Sequence, residues 1–407
     1  MGVISCGTTM LDAGEFQGID VLNWDTTAKT GNFTAVAGNG YFVNTTSGAI
    51  TVTLPAGSAG DTIALADYAA TWDTNPVTVS PNGSDKIGGV NLSVALATEG
   101  QSVTLIFVDS TQGWLNILDS TSNIRASEFV KATGGSITIC GDYKIHTFLG
   151  PGTFGVTSAG SPTGSNTVDY LVVAGGGGGG GGGPNGQEGG GAGAGGYRES
   201  SGAASGCYST SPLGSGVSAL PVTATAYPIS VGGGGSSSGG SGGSNGANSS
   251  FSSITSAGGG GGGGSSPTSA SSGGSGGGGN GALSGTGGGS GNTPPVSPPQ
   301  GNNGSGGLSG PNRGGGGGGA TAASSSSTNG GNGGTSSINA SSTTRAGGGG
   351  GSSGGSGGSG GGADGVTSPG SGNNGDANTG GGGSGALFNP TGGNGGSGIV
   401  IIRYKFQ

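Results

Sequence analysis

Charge is scarce in this sequence. Only 7% of the 407 residues are Asp, Glu, Lys or Arg, and the 10 basic residues form no cluster or stripe, so the electrostatic footprint of a nucleic-acid-binding protein is missing. Histidine occurs once, at His146. Cysteine occurs three times, at Cys6, Cys140 and Cys207, far apart and without a Cys-x-x-Cys pair, which argues against a zinc site or a disulfide framework and leaves free, packed thiols as the expectation. No run reaches the ~18 apolar residues of a membrane span. The first twenty residues, MGVISCGTTMLDAGEFQGID, lack the basic-then-apolar order of an export signal.

Catalytic patterns are missing as well. Poly-glycine matches Gly-x-Gly-x-x-Gly trivially, without the strand, helix and acid that a dinucleotide site needs in that order, and no Gly-Lys-Ser/Thr exists for a phosphate loop. A serine triad would have to use His146, which lies in the alternating run Tyr143, Ile145, Thr147 against Lys144, His146, Phe148 and reads as a strand side chain. The five acids of the second half, Asp169, Glu188, Glu199, Asp364 and Asp376, are too scattered to nominate a glycosidase pair. The expectation is a protein that is not an enzyme and needs no cofactor or metal.

What the chain has is glycine, very unevenly placed. Of 112 glycines, 23 precede Val168 and 89 follow from there on, while 13 of the 18 acids lie in the first part. Without a Gly-X-Y period, collagen is excluded. Residues 1–31 carry no sustained period and read as an arm, either a frayed terminus or an attachment segment that docks on another protein. From 32 to 120 short alternating runs follow one another: Ile50, Val52 and Leu54 against Thr51 and Thr53, then DTIALADY, PVTVSP, VNLSVAL and QSVTLIFVD. These predict a small antiparallel β-sandwich with Trp72 and Trp114 in its packing. Residues 121–167 predict a linker and a small β unit.

Residues 168–407 open with VDYLVVA and close with GIVIIRYKF. Between them stand pure glycine runs at 175–183, 258–264, 314–319 and 347–351, separated by Pro-, Asn- and Asp-containing breaks such as TPPVSPPQGNN, GPNR and TSSINASSTTR. Such composition ordinarily means a flexible linker. A linker needs no apolar strand at its far end, and its glycines need not come in discrete blocks. The ordered alternative is a bundle of left-handed polyglycine helices with three residues and ~9 Å per turn. Such helices have no internal hydrogen bonds, so every N–H and C=O must find a neighbouring run. Glycine is then required wherever a run is surrounded, with Ser or Ala on exposed faces, and the two apolar strands are expected to pair and clamp the array. The predicted fold class is mainly β plus polyglycine II.

The succession VDYLVVAGGGGGG, GAGGY, YPISVGGGGSSSGG, NSSFSSITSAGGGGGGG and GGSGIVIIRY resembles the glycine-rich domain of bacteriophage tail-fibre proteins over 168–407. GYFVNTTSGAITVTLPAGSAGDTI, GQSVTLIFVDSTQGWLNI and YKIHTFLGPGTF are similar to marine-phage and cyanophage fibres. The adhesins of T-even-like phages share the glycine runs. The resemblance implies a virion protein that attaches the phage to a host receptor, a glycan or an outer-membrane protein, through loops joining the helices. It also implies docking on other tail or baseplate proteins through the arm and a homo-oligomer, trimers being usual for fibres. The alternative is a purely structural filament with the array as spacer. Loops at alternate ends face opposite ways, and the candidate contacts are Pro294, Pro295, Pro298, Pro299 and Gln300, then Asn312 and Arg313, then Leu387 and Phe388.

Overall fold

In the computed structural model, the described residues are 4–5, 8–9, 11–12, 15–16, 22–120, 129–161, 164–184, 186–206, 208–237, 239–265, 268–281, 286–309, 312–324, 328–388 and 390–407. Among them the chain forms strands, turns and one short 3-10 turn, with no α-helix. It divides into two units, Met1–Arg125 and Ala126–Gln407.

In the first unit successive strands alternate between two sheets. Asn23–Lys29, Asn39–Val43 and Thr62–Asp67 join one sheet, while Phe33–Thr34, Ile50–Thr53 and Val77–Ser80 join the other. Strands consecutive within a sheet are therefore parallel, with Asn39 opposite both Asn23 and Ile63, and Val52 opposite both Phe33 and Val79. Within these two sheets the last turn is antiparallel, where Ser102–Asp109 pairs with Thr62–Asp67 and Gly113–Ser120, and Val77–Ser80 with Val94–Leu96. The antiparallel sandwich expected from the pattern is thus a largely parallel coil. Alternation says that a residue faces inward without saying which strand lies beside it. The inward set is as read: Ile50, Val52 and Leu54 are buried with Trp72 and Trp114, and the Trp72 indole donates to the Val43 carbonyl at 3.2 Å. Asn23–Lys29, grouped with the arm on sequence grounds, is an edge strand of the five-stranded sheet, with Trp24 packed on Phe42 at 5.0 Å.

The second unit carries two sheets and the glycine runs. The described residues of 121–167, the stretch expected to form a linker and a small β unit, supply strands to both sheets. Lys131–Thr133, Gly152–Ser158, Ala226–Ser230, Ser249–Phe251 and Ile254–Ser256 form the first. In the second the closing strand Ile399–Lys405 lies between Tyr143–Phe148 and the opening strand Thr167–Val173, with Leu171 opposite Ile401 and Val173 opposite Ile399. Both faces of this pair are buried. Val168, Tyr170, Val172, Val400, Ile402 and Tyr404 pack toward the first sheet, and Leu171, Val173, Ile399 and Ile401 belong to a second cluster with Ala194, Tyr197, Ala320 and Ile338 from the glycine half. Two-sided burial explains why these strands read as continuous apolar runs. A further hairpin, Gly334–Ser336 with Thr343–Arg345, lies within a stretch read as a break.

His146 is fully buried on the strand beside Ile399–Lys405. Its Nδ1 lies 2.7 Å from the Gly134 carbonyl, which only accepts, so Nδ1 carries the proton and Nε2 accepts from the Tyr404 hydroxyl at 3.1 Å. Burial, reinforced by Lys144, holds the imidazole below its ordinary value of 6.5. The unfolded chain then binds the proton more readily than the folded one, so this residue's contribution is complete above pH 6.5 and lost as pH falls below it. In urea melts from pH 8 to 5 the wild type is expected to weaken below 6.5, and His146→Phe to lack that part of the slope.

The glycine runs form neither helix nor strand, yet their backbone groups are paired with a period of three. The N–H groups of Gly175, Gly178 and Gly181 donate to Ala247, Ser244 and Ser241; those of Gly176, Gly179 and Gly182 to Gly396, Gly393 and Pro390; those of Gly177, Gly180 and Gly183 to Gly193, Gly190 and Gln187. All three neighbours run antiparallel to the central run. Its carbonyls accept from three parallel ones: Gly175, Gly178 and Gly181 from Gly259, Gly262 and Ser265, Gly177 and Gly180 from Gly383 and Ala386, and Gly176 from Gly235. Six segments thus surround residues 175–183, all nine of which are buried. A Cβ added at Gly175, Gly176 or Gly177 would fall on the carbonyls of Gly233, Gly381 and Gly260. The run 347–351 repeats the period of three, Gly349 and Ser352 donating to Ala192 and Gly189 and Gly348 and Gly351 to Gly331 and Thr328 on antiparallel neighbours, and Gly347 and Gly350 to Gly360 and Ala363 on a parallel one. Ser and Ala are not confined to exposed faces. Ala192, Ala194, Ser275 and Ser384 are buried too, and Ala194 packs where the runs meet the apolar strands.

Candidate functional site: the far loops of the glycine array

Hydrogen-bond register assigns each loop of the array to one of two ends. At the near end, where the runs join the sheets, Ala174 bonds Gly196, and Gly196 bonds Ala257. At the far end Gly181, Gly182 and Gly183 donate to Ser241, Pro390 and Gln187, and Ser265 donates to Gly181. Gly281 donates to Glu188, Gly189 to Ala386 and Ser352 to Gly189. Residues 184, 186–188, 239–242, 265, 268, 281, 286, 352–355, 387, 388 and 390 therefore share one end. Residues 308–309 and 312–313 join them through Gly315, which donates to Gly279, and are paired where Leu308 donates to Arg313 at 2.9 Å. Residues 366–371 join through the paired backbones of Gly370 and Leu387.

This register separates the residues singled out from sequence. Arg313 is exposed and Asn312 half-buried on one far loop; Phe388 is 44% exposed on another, in the left-handed region at φ 57°, with Leu387 buried beneath it. Pro311 lies outside the described residues. The proline-rich loop is at the near end, because the Gln300 carbonyl accepts from Tyr197 N–H at 2.9 Å. Gln300 itself is buried, its Oε1 accepting from Ala257 N–H at 2.8 Å and its Nε2 donating to the Pro294 carbonyl at 2.9 Å. It holds the loop together and has no free group for a receptor. Pro294, Pro295 and Pro299 are exposed and Pro298 half-buried, on the end away from Arg313 and Phe388. Sequence reasoning missed Leu308, 37% exposed opposite Arg313, and Glu188, whose carboxylate is buried. Leu308 and Phe388 are the large exposed apolar side chains among the described residues after 168.

The near end holds most of the buried charge of this unit. Asp169 accepts from Ser200 Oγ at 2.7 Å and from Ser205 N–H at 2.7 Å. Arg403 lies over the rings of Tyr143 and Tyr208, 4.7 and 5.2 Å from their centroids. Glu199 accepts from Tyr197 Oη at 3.0 Å and Ser211 N–H at 2.9 Å; burial pushes its carboxyl up, and burial pushes the Arg345 guanidinium down. A buried charge is costly unless it is hydrogen-bonded or paired, and hydroxyl, backbone N–H and ring contacts meet that need here. Cys140 is a half-buried free thiol against the apolar cluster beneath the array, while Cys6 and Cys207 lie outside the described residues. Among the described residues no three His, Cys, Asp or Glu side chains gather as metal ligands, and no helix is long and apolar enough to cross a membrane.

The profile of the glycine-rich domain family matches residues 150–405, well over half of the chain, and the chain belongs to that family. Residues 3–116 match a second profile, the N-terminal part of bacteriophage T4 gp9/10-like proteins. Over 77 residues the chain is 35% identical to the baseplate wedge protein gp10 of Enterobacteria phage T4, a stretch covering 18% of this chain and 13% of that protein. A gp9/10-like front followed by a glycine-rich domain agrees with the resemblance to phage tail-fibre proteins.

Proposed function

We propose that the protein is a non-catalytic tail-fibre component of a phage virion, which joins other tail or baseplate proteins through its gp9/10-like front and attaches to the host surface through the far loops of its glycine array. The observation that carries the attachment reading is that register gathers the exposed Arg313, Leu308 and Phe388 at the end opposite the sheets. The array itself we read as packed left-handed polyglycine helices. In its support, donors repeat every third residue, six segments surround the central run, and none of residues 175–183 takes a positive φ. A homo-oligomer agrees with the exposed Ile137 and Ile139 on the edge strand Ser136–Cys140, an unblunted apolar edge of the kind that pairs with another chain.

Competition with phage for susceptible cells tests the attachment reading. Purified wild type is expected to block adsorption. Phe388→Ala and Arg313→Glu are expected to weaken that block by about 10- to 30-fold, as for truncated interface anchors, and Pro295→Ala on the near loop to leave it unchanged. Equal blocking by all four proteins would move recognition away from the far loops.

A further inference from the structure

We propose that Glu188 is the positioning residue of the far loops: its buried carboxylate holds Ser353 in a left-handed backbone conformation and thereby fixes the 352–355 turn within the loop face. The importance of that face rests on the attachment reading; the positioning itself does not.

Glu188 is the one acid among the described residues of the far loops, and it is 8% exposed. Each carboxylate oxygen takes one hydroxyl from across the array, Oε2 from Ser352 Oγ at 3.0 Å and Oε1 from Ser353 Oγ at 2.6 Å. Ser352 is fully buried, and Ser353 has φ 61°, where a side chain is disfavoured, followed by Gly354 at φ 79°. Gly354 in turn donates to Val366 at 3.1 Å, which ties the turn to the 366–371 loop. The adjacent peptide groups reach further: the Glu188 carbonyl accepts from Gly281, and Gly189 donates to Ala386, two residues before Phe388. A buried carboxylate is costly unless hydrogen-bonded. Here both oxygens are used to hold a conformation the turn would otherwise resist.

Three full-length variants separate this role from general stability: E188A, E188Q and E188A/S353G. In E188A amide exchange at 352–355 and 366–371 is expected to rise about tenfold or more while residues 175–183 stay protected. E188Q restores most of the protection, because its carbonyl accepts one serine hydroxyl and its amide donates to the other. E188A/S353G also restores it, because glycine adopts the left-handed conformation without a partner. Unchanged exchange in E188A, loss of protection through 175–183, or failure of S353G to restore the turn would each overturn the proposal. If exchange responds as expected and adsorption is the same for all three, the positioning role stands and the attachment reading of this face falls.

Discussion

Gly179→Val is expected to abolish the folded glycine-rich half. Gly179 donates to Gly393 at 2.8 Å from within the surrounded run, and an added Cβ would fall on the Ser384 carbonyl. The obstacle is backbone, so no rotamer relieves it. Two runs must move apart, and each backbone bond broken on the way removes ~0.5–1.5 kcal/mol net, more where a buried group is left unpaired. With overpacking itself costing ~1–3 kcal/mol, the sum approaches the ~5–15 kcal/mol by which a domain is stable at all. Limited proteolysis reads the outcome: wild-type 168–407 resists and the variant is cut throughout. Gly287→Val is the control, since Gly287 is exposed and a Cβ there meets nothing within 4 Å. Wild-type resistance in Gly179→Val would sink the packed-array description and return these runs to the linker class.

What the sequence made legible follows from how local each signal is. The opening and closing strands were readable because burial on both faces leaves an unbroken apolar run: Leu171, Val172 and Val173 in one, Ile399 to Ile402 in the other. The parallel coil of the first unit was not readable, because Ile50, Val52 and Leu54 announce a strand and a buried face while the partners lie in other turns of the coil. The Gly334–Arg345 hairpin was concealed by its Ser, Thr and Asn content, with Ile338 as its one large apolar anchor.

Loop placement was harder still, since assigning an end to each loop depends on every reversal before it. After the far loop at 265–268 the chain returns through 271, where Ser271 donates to Gly261, and turns again at 273–274, where Gly274 donates to Gly258. That second reversal lies inside a Gly/Ser run with no proline or asparagine to mark it. It helps set which end the TPPVSPPQ loop reaches. The loop's buried Gln300 fastens the near end, bonded to Ala257 N–H and the Pro294 carbonyl. Glu188 gave no signal of its own beyond being an acid where acids are rare.

Truncation after Ser397 is expected to have an effect as large as the glycine substitution, by a different route. The deleted strand lies in the middle of its sheet, so its loss unpairs Tyr143–Phe148 on one side and Thr167–Val173 on the other. It also removes Ile399, Val400, Ile401, Ile402 and Tyr404, all nearly fully buried and divided between the two apolar clusters. At ~1.5–3 kcal/mol for each large side chain, the loss is on the order of 10 kcal/mol, again comparable with the whole stability of a domain. The array has little apolar burial of its own to offset this. The truncation also removes a backbone contact that holds a run in register at the near end, where Gly398 donates to Gly232. The truncated protein is therefore expected to lose amide protection along 175–183 as well as in the sheet. Protection that survived along the glycine runs alone would show that the hydrogen-bonded array sustains itself, and that the strand pair is a support for assembly and not a condition for it.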